Sequence, residues 1–279
     1  MKYSLIIPCY NKASRIEMMF WRLVNGTTPK EDFEVILIDG GSTDDLSKAI
    51  DSFKDSLNII YIDTCYGRWE NPARPRNIGY KLACGKYSIM LDADYLPAED
   101  LLEQFGKSLY DDYFDICYGY AVDSSFGVGH SEKVFRNNVR LYKDKEQIEI
   151  YKLPIKTMAR VLMIPMNGPM PEWLFCVKTD TIKQIRAYDE DYGQGYGKED
   201  TDIFRRLEVV CPKRVYNPDA SCIHIYHKSA GPDGQRNAQR NISLLNSKSI
   251  GLPDNVVRNN SGWGDLGNGK ILYSYKSLV

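Results

Sequence analysis

Short apolar runs alternate with helix-like segments through roughly the first hundred residues of this 279-residue chain. The runs at 3–8, 33–38, 58–62 and 87–91 are continuous in hydrophobicity, which is typical of strands buried on both faces of a sheet. Segments with apolar residues at helical spacing separate them. This order predicts right-handed crossovers and an α/β fold, with a largely parallel central sheet flanked by helices.

Polar clusters follow three of these strands at their carboxyl ends, at residues 9–11, 39–44 and 92–94. In open parallel sheets, ligands bind beyond the carboxyl ends of the strands. The clusters therefore predict a ligand site at this edge. Ser42 and Asp45 stand in a capping-box relation before a helical apolar face, so we also expect a capped helix there.

Composition narrows the classes of function. The formal net charge is −1 and basic residues are spread along the chain, so a general affinity for nucleic acid or anionic membranes is not expected. No apolar run is long enough for a transmembrane segment, and the N-terminus is a poor signal peptide; peripheral membrane contact stays open. Seven cysteines without a CxxC pair are typical of buried thiols, which predicts a reducing, cytoplasmic location.

The second half of the chain is less regular. We expect loops and edge strands over 111–165, and a partly mobile lid ending in a strand over 228–279. Between them, the pattern predicts strands at 173–177 and 221–226 and a helix at 200–208.

The segment LDADYLP contains the first chemical motif. Asp92 and Asp94 follow an apolar strand and, being two residues apart, lie on the same side of an extended backbone. Carboxylate oxygens suit Mg²⁺ or Mn²⁺, which usually take one or two protein carboxylates and fill the shell with phosphate. The alternative is a solvated acidic turn, but the placement between a strand and a new helix favours the metal.

Three glycines between residues 193 and 197 precede a second acidic pair, Glu199 and Asp200. Glycines let a backbone approach a bulky ligand, and the N-terminus of a helix stabilises carboxylates in the charged form. The alternative is a simple helix cap, a role that Asp202 could also fill.

His224 and His227 form the third constellation. On a strand they would point to opposite faces, so one of them can complete a metal site at Asp94 while the other is structural.

Taken in order, these elements resemble the inverting family 2 glycosyltransferases, which have the GT-A (Rossmann-like) fold. The resemblance covers about residues 3–230. It is carried by four segments: SLIIPCYN at 4–11, VILIDGGSTD at 35–44, PRNIGYKLACGKYSIMLDAD at 75–94 and GYGKEDTDIFRRL at 195–207. The last of these, with Trp173 and HIYH at 224–227, is also similar to the acceptor half of galactosyl- and N-acetylgalactosaminyltransferases.

The resemblance implies three parts of the chain. Residues 1–110 would be the nucleotide-sugar-binding half of one domain, and residues 111–228 its smaller, mixed acceptor-binding half. Residues 229–279 would be a C-terminal lid and tail. The implied function is metal-dependent transfer of a sugar, from a UDP-sugar donor, to a hydroxyl of a carbohydrate or other acceptor in polysaccharide or glycan synthesis.

On the donor side, the resemblance implies a base pocket lined by Pro8, Tyr10 and Asn11, with Tyr10 stacking on uracil. Asp39 would accept the N–H of the base. Arg76 would contact the base or the diphosphate.

For the metal and acceptor, the resemblance implies Mn²⁺ or Mg²⁺ held by Asp94 and by His227, or less favourably His224. Asp92 would hold the ribose or join the metal shell. Asp200 would be the general base, Glu199 would orient the acceptor, and Trp173 would form an acceptor platform.

Two departures from the family pattern stand out. The second strand ends in Asp-Gly-Gly where the family commonly has Asp-Asp-Gly, and DADY lacks a further acidic residue. Two rival functions remain. A sugar-nucleotide nucleotidyltransferase would show a Gly-rich basic loop where this chain has CYNKAS, and a non-catalytic carbohydrate-binding protein would not need the acidic residues.

Overall fold

The computed structural model describes residues 1–65, 71–123, 140–143, 146–149, 174–225, 237–248 and 255–275. The strands in these ranges are β1 (Tyr3–Cys9), β2 (Phe33–Asp39), β3 (Ile59–Asp63), β4 (Tyr87–Met90), β5 (Tyr95–Pro97), β6 (Ile116–Asp123), β7 (Arg140–Lys143), β8 (Glu146–Glu149), β9 (Phe175–Lys178), β10 (Arg214–His224) and β11 (Lys270–Ser274). The α-helices there are α1 (Ala13–Val24), α2 (Leu46–Asp51), α3 (Ala73–Leu82), α4 (Leu101–Ser108), α5 (Thr179–Gln184), α6 (Glu199–Val210) and α7 (Ala238–Lys248). Short 3-10 turns lie at Lys30–Asp32 and Glu190–Gln194.

A nine-stranded sheet in the order β11-β3-β2-β1-β4-β9-β6-β10-β5 forms the centre of the fold, and β7 and β8 pair separately. Strands β3, β2, β1 and β4 are parallel to their neighbours in that group, and β6 is parallel to β10. The remaining contacts, at β11, β9 and β5, are antiparallel. The predicted α/β class is therefore confirmed, with the parallel part contributed mainly by the first hundred residues and the whole sheet mixed.

The parallel strands end in register. Cys9 at the end of β1 lies opposite Asp39 of β2, which lies opposite Asp63 of β3. Met90, the last residue of β4, pairs with Ile6. Residues 92–94 therefore follow the sheet edge at which the first two polar clusters also lie.

Both faces of the sheet are covered by apolar packing. All seven residues of β1 and of β2 are buried, as the continuous apolar runs predict. Alternate side chains enter two different cores: Leu5 and Ile7 join the one beneath α1, α2 and α4, whereas Ile6 joins the one beneath α3, α5 and α6. The sheet is thereby held rigidly between two helix layers.

The structure differs from the sequence-based expectation in the second half. Strand β6 lies inside the sheet between β9 and β10, rather than at an edge, and β10 begins seven residues earlier than expected at Arg214. The first six residues of β10 are exposed or half-buried, so this part of the strand has no apolar run to reveal it. Helix α7 was not predicted, because its apolar face is short.

The predicted capping box is wrong. Helix α2 has Asp45 at its N-cap without a side-chain cap bond, and the Ser42 hydroxyl instead donates to Asp39. A buried acceptor close by competes successfully with the helix terminus for this hydroxyl.

The predicted C-terminal strand is confirmed as β11, which pairs antiparallel with β3 at the edge of the sheet. Residues before it also pack on the domain: the Asn259 carbonyl accepts from Arg186, and the Gly264 N–H donates to Glu190. Within the described ranges, no helix is long and apolar enough to cross a bilayer.

Gly79 sets how closely α3 approaches the sheet. A Cβ at this position would lie 2.5 Å from Cγ2 of Ile6 and 2.9 Å from Cδ1 of Ile38. We expect Gly79→Ala to lower the free energy of unfolding by about 1–3 kcal/mol, since overpacking two stiff core side chains outweighs the better helix propensity of alanine. Chemical denaturation measures this change.

The matched control is Gly193→Ala, because a Cβ there meets nothing within 4 Å. We expect that variant to unfold at nearly the same denaturant concentration as the wild-type protein. Equal stability of both variants would show that α3 is not limited by this contact.

Candidate active site

A buried arginine joins the two acidic motifs. Arg76 lies on α3 with a side chain that is 3% exposed. Its Nη1 is 2.8 Å from Oδ1 of Asp200 and 3.4 Å from Oε1 of Glu199, and its Nη2 is 3.2 Å from Oδ1 of Asp92. Asp92 follows β4 and the other two carboxylates begin α6. The arginine thus brings together three of the predicted site residues from opposite halves of the fold.

Two further residues support this cluster, and the motifs did not reveal either. Asn71 is buried and donates from Nδ2 to Oε2 of Glu199 at 2.6 Å, while its own Oδ1 caps the start of α3 at Ala73. The guanidinium of Arg76 lies 4.9 Å from the ring centroid of the buried Tyr188. The Asn-Pro pair before a helix was the available signal for Asn71.

Asp200 has an unusual electrostatic environment. Burial raises the pKa of its carboxyl above the ordinary value, Arg76 lowers it, and the neighbouring carboxylates of Glu199 and Asp92 raise it again. The net direction is upward, because removal from water and two like charges outweigh one cation. A carboxylate with a raised pKa is a better proton acceptor than an exposed one.

The glycine-rich loop fixes the beginning of α6. Gly197 and Lys198 both have positive φ angles, 70° and 75°, immediately before Glu199. Asn241 of α7 is buried and donates to the carbonyl of Gly197 at 2.9 Å. A Cβ on Gly195 would lie 2.8 Å from the carbonyl oxygen of Asn237. At least one of these glycines is therefore required by packing against α7.

At the other end of the site, Asp39 organises the loop after β2. Its Oδ1 accepts from the backbone N–H of Ser42 at 2.9 Å and from the Ser42 hydroxyl at 2.6 Å, and its Oδ2 accepts from the Tyr61 hydroxyl at 2.9 Å. The residue is only 2% exposed. A carboxylate offers about four acceptor positions, and the described residues fill three of them.

Asn11 ties the loops after β1 and β2 together. Its backbone N–H donates to the Ser42 hydroxyl at 2.8 Å, and its Oδ1 accepts from the N–H of Thr43 at 2.8 Å. Asn11 has a φ of 51°, a left-handed conformation that asparagine tolerates better than most residues. Pro8 is buried in β1 and Tyr10 is half-buried at the turn, so the predicted base-pocket residues lie on neighbouring loops.

Asp94 lies among cations. Lys12 Nζ is 3.2 Å from its Oδ2, and Arg15 Nη1 contacts its Oδ1. The backbone carbonyl of Asp94 also accepts from the N–H of Ile225, just after β10. The end of β10 therefore lies beside Asp94. The sequence motifs did not indicate Lys12 or Arg15, although both follow a polar turn at the end of a strand.

Asp92 and Asp94 fit a hard divalent cation that shares its shell with phosphate. Both offer carboxylate oxygens, which in this structure are contacted by Lys12 and Arg15 at Asp94 and by Arg76 at Asp92. Mg²⁺ and Mn²⁺ are commonly bound in this open manner, by one or two carboxylates and a phosphate ligand.

The remaining predicted residues are His224, His227 and Trp173. His224 ends β10 with its ring 5.3 Å from that of Tyr95, in an edge-to-face contact. His227 and Trp173 lie outside the described residues, so their roles stay predictions.

Comparison with known proteins reveals similar chains among sugar-transferring enzymes. A validoxylamine A glucosyltransferase of Streptomyces hygroscopicus subsp. jinggangensis is 28% identical over 223 residues, which cover 74% of this chain and 51% of the relative. A poly(ribitol-phosphate) β-glucosyltransferase of Bacillus spizizenii is 36% identical over 110 residues, which cover 39% of this chain and 17% of the relative. The chain thus spans about half or less of these curated relatives.

Solved structures share the fold. The crystal structure of Staphylococcus aureus TarS residues 1–349 matches with a TM-score of 0.60 and 19% identity, over 88% of this chain and 65% of that one. A mannosyltransferase from Pyrobaculum calidifontis, in complex with GDP-Man and Mn²⁺, matches with a TM-score of 0.59 and 19% identity, over 89% of this chain and 64% of that one. Both likenesses support the GT-A architecture.

Residues 4–164 match the model of glycosyl transferase family 2, which is more than half of the chain. This segment includes the loops after β1 and β2, Arg76 and the Asp92–Asp94 motif. The chain therefore belongs to glycosyl transferase family 2.

Proposed function

We propose that this protein is a metal-dependent, inverting glycosyltransferase that moves a sugar from a UDP-sugar to a hydroxyl of a carbohydrate acceptor. The observation that carries the proposal is the convergence of Asp92, Glu199 and Asp200 on Arg76. The acidic pair on α6 lies outside the matched family segment. Arg76 joins this pair to Asp92, so the proposed donor-binding and acceptor-binding residues meet at one side chain, which supports transfer between two substrates bound side by side.

Asp200 acts as the general base in this proposal. It accepts the proton of the acceptor hydroxyl while the oxygen attacks the anomeric carbon, which becomes oxocarbenium-like as in glycosidases. A single displacement of this kind inverts the anomeric configuration. The raised pKa of Asp200 supports the role, because its driving force for proton capture is greater than that of an ordinary carboxylate.

Glu199 and Arg76 position the reacting groups. Asn71 and Arg76 each occupy one oxygen of Glu199, which fixes the rotamer of a side chain that we propose orients the acceptor. Arg76 likewise fixes Asp200. Groups held in place before the reaction reduce the entropy that must be lost at the transition state.

Asp94 and Asp92 are the proposed metal ligands, with His227 or His224 completing the shell. When bound there, Mg²⁺ or Mn²⁺ would neutralise the negative charge that develops on the departing diphosphate.

We propose uracil as the donor base. The described residues fill three of about four acceptor positions of Asp39, and N3–H of uracil can donate to the fourth, whereas N3 of cytosine is itself an acceptor. TarS has been crystallised with UDP and with UDP-GlcNAc, and the Pyrobaculum enzyme with GDP-Man. Related folds thus accept different bases, so the choice rests on Asp39 and Tyr10.

The acceptor class and location are also proposals. The relatives named above act, by their names, on poly(ribitol-phosphate) and validoxylamine A, which supports a hydroxyl-rich acceptor in glycan synthesis with Trp173 as its platform. All seven cysteines are free thiols and five are buried, which supports a reducing, cytoplasmic location.

The Asp200→Asn variant tests the general base. We expect turnover to fall about 10²–10⁴-fold, because the amide cannot accept the proton, while UDP-sugar affinity stays near wild type. Steady-state kinetics and calorimetric titration of UDP measure the two quantities. Asn caps a helix about as well as Asp, so a purely capping role predicts an active variant.

Glu199→Gln is the companion variant. Since Glu199 is proposed to orient the acceptor, its loss should raise the KM for the acceptor more than it lowers the maximal rate. A folded Asp200→Asn protein with full activity would remove Asp200 from the role and transfer it to Glu199 or Asp202.

The pH dependence of kcat/KM is a second test of Asp200. The base acts only when ionised, and its pKa is raised in the folded protein, so activity should decline with falling pH well above the ordinary carboxyl range near about 4. The residual activity of Asp200→Asn should lack this acidic limb. A limb at the ordinary carboxyl range in the wild type would contradict the assignment.

Asp94→Ala tests the metal. We expect the affinity for UDP in the presence of Mn²⁺ to fall by about 10- to 100-fold, because charge-assisted contacts of this type contribute about 1.5–3 kcal/mol. The matched control is Asp51→Ala, which removes an exposed carboxylate paired with Lys54. Equal UDP affinity in wild type and Asp94→Ala, with and without Mn²⁺, would show that Asp94 is not a metal ligand.

The base preference can be measured by thermal shift with UDP, CDP and GDP at equal concentration. Only ligands that bind the folded state raise the melting temperature, by mass action. We expect UDP to give the largest shift and Asp39→Asn to reduce it. Equal shifts from all three nucleotides would exclude the proposed base pocket.

A further inference from the structure

Two cations occupy the carboxylate that the proposed function assigns to the metal. Lys12 contacts one oxygen of Asp94 and Arg15 the other. The side chain of Asp94 is 11% exposed, against 29% for Lys12 and 19% for Arg15. Ion pairs with such limited access to water are screened less than surface pairs. The attraction between Asp94 and these two cations is therefore stronger than that of an exposed ion pair.

The position of these cations is unfavourable unless an anion is near. Lys12 immediately precedes α1 and Arg15 lies in its first turn, which contains no acidic residue. The N-terminus of a helix carries partial positive charge and disfavours cations. Asp44 accepts the first N–H of α1, with its Oδ2 2.8 Å from the backbone N of Ala13, whereas the charges of Lys12 and Arg15 themselves are compensated by Asp94.

A divalent cation on Asp94 would remove that compensation. Three cationic centres would then meet at one carboxylate, and like charges at contact distance repel strongly in a partly buried site. The diphosphate of a nucleotide-sugar carries one negative charge on each phosphate. It is the anion that arrives at this edge of the sheet with the metal, and both Lys and Arg are effective phosphate ligands.

We propose that Lys12 and Arg15 hold Asp94 while the donor is absent, and that both side chains transfer to the donor diphosphate when a divalent cation takes Asp94. This inference rests on the proposed function and identifies Lys12 and Arg15 as diphosphate-binding residues. Two linked effects on binding are expected. The cations weaken metal binding to the free protein, and they strengthen nucleotide binding to the metal-loaded protein, so the two ligands bind cooperatively.

The test measures binding rather than turnover. Free Mn²⁺ is followed by its electron paramagnetic resonance signal in titrations without nucleotide, and UDP affinity is measured by calorimetry at saturating Mn²⁺. In the double variant Lys12→Met/Arg15→Met, we expect Mn²⁺ affinity without UDP to rise about tenfold and UDP affinity with Mn²⁺ to fall about tenfold, the effect of losing a charge-assisted contact.

The proposal requires the Mn²⁺ and UDP affinities to change in opposite directions, because a general loss of structure would lower both affinities. Lys54→Met, at the exposed pair with Asp51, removes the same charge elsewhere and should change neither affinity. Arg15→Lys keeps the charge, so both of its affinity changes should be smaller than those of the double variant. Should the double variant fail to fold by circular dichroism, the single variant Lys12→Met, at the more exposed position, must show the same opposite shifts.

Three results would overturn the inference. Unchanged affinities, or affinities that shift in the same direction, would show that the cations do not exchange partners. Stronger Mn²⁺ binding with unchanged UDP binding would show that they never reach the diphosphate. Absence of Mn²⁺ binding to the wild-type protein even with UDP would overturn the inference together with the metal in the proposed function, whereas the first two results leave that metal in place.

Discussion

The buried guanidinium of Arg76 is the interaction on which the arrangement of the site depends. One side chain from α3 contacts the carboxylates of Asp92, which follows β4, and of Glu199 and Asp200, which begin α6. A buried charge of either sign is costly without partners, so the arginine and the acids require one another. The Nε of Arg76 has no hydrogen-bond partner among the described residues, and the ring of Tyr188 lies beside the guanidinium instead.

The carboxylates around Arg76 outnumber its single positive charge. This excess lowers the stability of the folded protein but favours proton transfer to Asp200. Among the residues that the structure describes, three carboxylates contact Arg76, and the negative charge of Glu199 and Asp92, added to burial, keeps the pKa of Asp200 raised. A site optimised for stability would carry equal numbers of charges or an apolar core. The excess also repels a diphosphate, so donor binding at this edge requires positive charge from elsewhere. Lys12 and Arg15, which contact Asp94, are the proposed source of part of it.

The sequence predicted the donor side of the fold well, because strand burial and ligand placement there follow from local patterns. Continuous apolar runs identified β1 to β4, and the polar residues after them lie together, as the carboxyl-end rule requires. Contacts between distant segments were not predictable in this way. The bond from Asn71 to Glu199 joins residues 128 positions apart, and the partner chosen by the Ser42 hydroxyl depended on the burial of Asp39. Local capping rules do not include an acceptor such as the Asp39 carboxylate, which only the tertiary fold brings close to Ser42.

The contacts of the C-terminal segment were unpredictable for the same reason. Its sequence has little periodicity, yet its residues hold the start of α6, the helix that carries Glu199 and Asp200. Arg258 approaches the buried Asp202 of α6, which also forms an ion pair with Arg206 one turn later. Asn241 holds the loop that starts α6 by bonding to Gly197. These are polar contacts to backbone and charged groups, so the segment needs no apolar stripe, which is the pattern that reveals a packed helix. The orientation of Glu199 and Asp200 therefore depends on residues more than forty positions later in the chain, because the first turn of α6 and the loop before it are held by those residues.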